Sequence, residues 1–170
     1  MITTEQQERV HGWFAGRLPA GWQPAEVTLD REEIVVVLTT PDVELADASE
    51  AALAEARAGR ASSFREETRA QRMEIAAEAQ HRYERKVSWG VRVGPHRELW
   101  THVSAPVMTR LRQPQRLVLD TLVDAGVARS RSDALAWCVR LVGQHEGDWL
   151  AELRGAMDAV ATVRAQGPVA

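Results

Sequence analysis

A chain of 170 residues with 45% hydrophobic and 26% charged residues has the composition of an ordinary folded protein, long enough for one well-packed domain or two small ones and unlike a disordered tract. The net charge of −3 gives no overall signature of nucleic-acid binding, but residues 105–145 carry six arginines against three acidic side chains and form a net basic stretch in an otherwise acidic sequence. The single cysteine, Cys138, excludes a disulfide scaffold within the chain; without a signal-like start or an apolar run near the roughly 20 residues of a membrane helix, the sequence predicts a cytoplasmic protein with no membrane partner.

In chain order, Thr3 or Thr4 can cap a first helix, Gln6 or Gln7 can return the capping contact, and Val10, Trp13, Phe14 and Leu18 recur at helical spacing before Pro19, Gly21 and Pro24 end it. Residues 26–30 and 33–40 then read as a β-hairpin. The unbroken apolar run 34–38 predicts a central strand covered on both faces. From Asp47 to about Lys86 the composition turns to strong helix formers, with Gly59 expected to split the segment in two. Phe64, Thr68, Arg72, Ile75, Ala79 and Tyr83 share one face of its second part, and the other positions read as a solvated face with pairs such as Glu78–Arg82. A second hairpin follows, residues 87–93 and 97–104 around Gly94-Pro95-His96. The implied fold class is α+β: an N-terminal helix and two β-hairpins packed on a long helix, with a four-stranded, mostly antiparallel sheet.

Residues 110–142 then read as two short helices. Leu119, Leu122 and Val123 mark the first, Gly126 its left-handed stop, and Ser130 the start of a second carrying Leu135, Val139 and Val142. Helices this short need a partner to bury their apolar faces. After a break at residues 143–147, Asp148 opens a last helix with Trp149, Leu150, Leu153, Met157 and Val160, ending near Arg164 before a loose tail over 166–170. The expected organisation is a domain over 1–104, a two-helix unit over 105–145, and a C-terminal helix and tail over 146–170.

Three elements of this region, Arg110-Leu111, the run from Leu119 to Gly126 (LDTLVDAG) and the run from Ser130 to Leu135 (SRSDAL), resemble the ribbon-helix-helix (Arc/MetJ-type) DNA-binding family over about a fifth of the chain. The resemblance implies a homodimer whose paired strands lie in the major groove of double-stranded DNA. Met108 and Arg110 would then face the bases. Arg112, Arg129, Ser130, Arg131 and Ser132 would meet phosphates at the positive end of a helix. Leu111, Leu119, Leu122, Leu135, Val139 and Val142 would form the dimer core. Residues 105–111 could instead join the N-terminal sheet or run as a helix from Pro106.

Catalytic patterns are absent from the sequence. His11, His81, His96, His102 and His145 lack paired-ligand spacing, and no phosphate-loop or dinucleotide motif occurs. No enzyme activity, cofactor or metal is expected. Trp22, Trp100 and His102 are the candidates for a ligand or partner contact. The expected function is a dimeric DNA-binding transcriptional regulator with an N-terminal domain that senses a ligand or engages a protein partner. The competing expectation is a protein–protein interaction or assembly protein that uses the two-helix unit for oligomerisation alone.

Overall fold

The structure, a computed structural model, describes residues 2–19 and 21–166; the tail expected over 167–170 lies outside them. The chain divides into two units, Met1–Ala105 and Pro106–Ala170.

The first unit opens with α1 (Thr4–Arg17). Its capping box is complete: Thr3 Oγ1 accepts from the Gln6 amide at 3.2 Å, and Gln6 Oε1 accepts from the Thr3 amide at 3.0 Å. Strands β1 (Gln23–Leu29) and β2 (Glu33–Thr40) pair antiparallel. Asp30 Oδ1 closes their turn by accepting from the amides of Glu32 and Glu33, each at 2.8 Å. Helices α2 (Glu50–Glu67) and α3 (Arg69–Tyr83) then carry the chain across to β3 (Lys86–Val93), which pairs with β2 in parallel, and β4 (His96–Leu99) closes the order β1-β2-β3-β4. Only a crossover of this length can make neighbouring strands parallel. The arrangement is α+β, with one parallel pair between two antiparallel hairpins. It puts the apolar strand β2 inside the sheet, where Ile34, Val36, Val37 and Leu38 have no solvent exposure. Phe14 from α1, Phe64 from α2, and Ile75 and Ala79 from α3 join Trp89, Val91 and Val93 of β3 in the same core.

Three local expectations are corrected. The long helix breaks at Thr68 rather than Gly59, which lies inside α2 with open space around it. One helical glycine costs only about 1 kcal/mol, whereas Thr68 carries a buried network. Its hydroxyl donates to the Phe64 carbonyl at 2.6 Å and accepts from Arg72 Nε at 3.0 Å, while Arg72 Nη2 donates to the Arg65 carbonyl at 2.7 Å. The last strand stops at Leu99 rather than Ser104. Beyond it Thr101 turns its own hydroxyl to the Trp89 amide at 2.9 Å, so a side chain takes the place of a ladder carbonyl. Glu78 pairs with Arg17 of α1 rather than with Arg82, at 2.6 Å.

The second unit holds α4 (Gln113–Asp124), α5 (Arg131–His145) and α6 (Gly147–Gln166). Gly126 adopts φ +75°, and the Val127 and Gly126 amides donate to the Leu122 and Val123 carbonyls, each at 3.0 Å, the Schellman arrangement that ends α4. Ser130 caps α5 by accepting from the Asp133 amide at 3.2 Å. Residues 101–112 form neither strand nor helix. Residues 105–111 therefore neither extend the sheet nor run as a helix from Pro106, and they pair with no strand of their own chain; the ribbon expected there is a pairing between two chains. An extended segment forms a strand only when a neighbour accepts its hydrogen bonds, and Pro106 also removes a donor.

Candidate self-association surface

In the second unit, caps and a charged pair join the two short helices around a small buried centre. Arg131 forks onto Asp120, Nε to Oδ1 at 2.6 Å and Nη2 to Oδ2 at 2.8 Å, and so fastens the start of α5 to α4. The hydrogen bonds and charge of Arg131 hold the Asp120 carboxyl below its ordinary range. Asp133 is likewise lowered, first by the Arg129 amide that donates to it at 3.0 Å.

Buried apolar side chains are few here. Only Leu119, Ala128 and Ala134 are buried among the described residues of this unit, with Leu111, Leu122, Val123, Leu135 and Cys138 half-buried around them. Outward from this small centre the apolar faces continue into solvent. Val139 and Val142 of α5 are 66% and 49% exposed, and Trp149 and Met157 of α6 are 54% and 44% exposed. Leu153 and Val160 complete the α6 stripe at four- and three-residue spacing, and Leu117 and Val118 of α4 are also exposed. A shallow cavity of about 340 Å³ is lined by Met108, Leu111, Leu119 and Leu135 together with Arg131 and Ser132.

This geometry locates every residue singled out from the sequence. Of the six dimer-core candidates, Leu119 is already buried within one chain, Leu111, Leu122 and Leu135 are half-buried, and Val139 and Val142 are open. Met108 is 97% exposed on the segment before α4, where Arg110 and Arg112 are exposed as well. Among the described residues neither Arg110 nor Arg112 is ion-paired, whereas Arg129 and Arg131 each face a carboxylate of their own unit. Ser130 is occupied as a cap and Ser132 is exposed.

Within the first unit Trp22 and Trp100 pack against Phe64, with ring centroids at 6.1 and 6.4 Å, and Trp100 Nε1 donates to Glu98 Oε1. His102 is exposed. The Arg72 guanidinium lies 4.5 Å from the Trp100 ring centroid, and burial, followed by the charges of Arg65 and Arg69, draws its pKa down to about 10. Sequence reading placed Arg72 on the right face but missed that an arginine would be closed inside; its one signal was a cation in line with Phe64 and Ile75. The α6 stripe was legible as a pattern yet not assigned to a surface, because periodicity does not tell which stripe stays uncovered. Among the described residues, no group of three or more His, Cys, Asp or Glu converges as metal ligands, and no helix is long and apolar enough to cross a membrane.

Comparison with known proteins corrects the family expectation. No ribbon-helix-helix family matches; residues 112–164 match the Mb1296 C-terminal domain instead, a span that runs through α4, α5 and α6. The residues that carried the resemblance serve local ends: LDTLVDAG terminates a helix in a Schellman turn, and SRSD caps the next one. Residues 8–99 match the Rv1265-like protein, N-terminal domain. The chain is 62% identical over 158 residues, 92% of its own length and 69% of theirs, to Rv1265 of Mycobacterium tuberculosis (strain ATCC 25618 / H37Rv) and to Mb1296 of Mycobacterium bovis, whose names assign no activity. No solved structure matches. Matched along its N-terminal domain and across both units by these relatives, the chain belongs to the Rv1265-like family.

Proposed function

We propose that the chain works without catalysis, in the cytoplasm, as a homodimer joined through the apolar faces of α4, α5 and α6, with the N-terminal α+β unit free to engage a ligand or partner. One observation carries this reading: residues 106–166 bury three side chains and expose a run of large apolar ones. Chains that stay monomeric rarely leave such stripes in water, and helical units with so small a core are seldom stable alone. A second copy is the simplest cover, because a two-fold interface needs only one self-complementary patch. If so, thermal melting of the full chain followed by helix content depends on protein concentration, and Val142→Glu lowers the midpoint of a helical transition while leaving the β-sheet signal intact. Melting that is independent of concentration and unmoved by Val142→Glu contradicts the proposal.

A second reading, that the dimer holds double-stranded DNA, is favoured by Arg110, Arg112 and Arg116, three cations in seven residues that make no salt bridge with a carboxylate among the described residues. Phosphate contacts by these side chains would give binding that weakens steeply with salt. In a mobility shift at fixed salt, the double variant Arg110→Ala/Arg112→Ala should bind at least about tenfold more weakly. An unchanged shift, or none for the native protein at low salt, removes this reading and leaves the dimer standing.

A further inference from the structure

We infer that the N-terminal unit contains an anion pocket, between the middle of α1 and the end of α3, that takes a phosphate monoester with a planar or apolar body. This inference goes beyond the self-association reading and does not depend on it.

The cavity measures about 410 Å³, within the range of small-ligand sites, and its lining includes Arg9, Arg82 and Arg85 but no acidic residue. That is unusual in a unit where acidic side chains outnumber basic ones, 17 to 13 over residues 1–104. Each arginine keeps its charge available for a separate structural reason. Arg85 is fixed by carbonyls, Nε donating to Asp30 O at 2.8 Å and Nη1 to Tyr83 O at 3.1 Å, so its plane is set while its charge stays unpaired. Arg82 loses its natural helical neighbour, because both oxygens of Glu78 are taken by Arg17, at 2.6 and 2.7 Å. Its guanidinium lies 5.8 Å from the Tyr83 ring centroid instead. Arg9 has no salt bridge among the described residues. The nearby Asp30 carboxylate is turned into its own hairpin, accepting from the Glu32 and Glu33 amides.

Val10, Leu29 and Tyr83 supply the apolar part of the lining, and Gln6 adds an uncharged polar group. Three guanidiniums beside an apolar wall fit a dianionic head on an organic body. Guanidinium forks match phosphate oxygens in pairs. A lone inorganic ion would leave the wall unused, and a monocarboxylate would leave part of the positive charge unanswered.

Phenyl phosphate tests the assignment against its parts, inorganic phosphate, phenol and benzoate, by titrating the isotope-labelled full chain and following the Arg85 Nε–H and Tyr83 amide resonances. The expected result is saturable shifts with phenyl phosphate, at least about tenfold weaker binding for inorganic phosphate and for benzoate, and none for phenol. Arg82→Gln, an exposed site whose change leaves the core intact, should weaken phenyl phosphate at least about tenfold, while Arg92→Gln on β3 should not. No saturable shift with phenyl phosphate, equal binding of phenol, or equal loss in the two variants overturns the proposal. Tighter binding of benzoate than of phenyl phosphate overturns the phosphate assignment.

Discussion

Arg72 brings a cation into the N-terminal core with no carboxylate beside it among the described residues, answered only by the Thr68 hydroxyl, the Arg65 carbonyl and the faces of Trp100 and Trp89. Stem packing, two hydrogen bonds and stacking together make Arg72→Ala costly, about 2–4 kcal/mol by urea unfolding. Arg72→Met keeps the stem and sheds the desolvated charge, so it should lose less; equal losses would place the stabilisation in the charge itself. Asp120 and Arg131 yield a pH prediction. A carboxylate lowered on folding adds stability above its unfolded value, near pH 4, and that stability disappears as the pH falls through the folded value. Asp120→Asn should therefore flatten the acid side of the helical melting profile, leaving the share due to Asp42, Glu78 and Asp133, whose carboxyls are also lowered. At this scale the sequence was informative about caps. Thr3, Gln6, Gly126 and Ser130 act through their nearest neighbours, as their spacing implied. It put Arg72 on the right face without showing that the side chain is closed inside, and it paired Glu78 with Arg82 where Arg17 of α1 takes it, because both outcomes depend on what another element brings alongside.

Among the elements, β2 and the apolar face of α3 were legible, because a run of β-branched residues and a three-and-four spacing each admit one simple placement. The parallel pairing of β2 with β3 was not, since two hairpins can join through either edge until the crossover is known. Residues 105–111 meet a related limit: alternation there describes which way side chains would face, not whether a partner strand exists. The hairpin between β3 and β4 offers a sharp test. Gly94 has φ +55°, and a Cβ there would stand 2.3 Å from Asp42 Oδ2, on a carboxylate held by Arg57 at 2.8 and 2.9 Å. Gly94→Ala should cost roughly 1–3 kcal/mol. Adding Asp42→Ala should recover the steric part only, because the left-handed backbone remains. A neutral Gly94→Ala would mean the turn opens freely.

On the scale of the whole molecule, the two units follow different stability logics. The first closes a core around β2 and β3 from its own residues. The second spends its apolar residues on open faces of α4, α5 and α6, and an unsatisfied surface of that kind is the reason for proposing a second copy. The most direct test is the mass of the full chain by light scattering across a concentration series, beside the double variant Val139→Glu/Met157→Glu. A native mass near twice 18.9 kDa, falling to a single chain in the variant, is the predicted result. A native protein that stays at one chain mass while α4, α5 and α6 remain helical would contradict it.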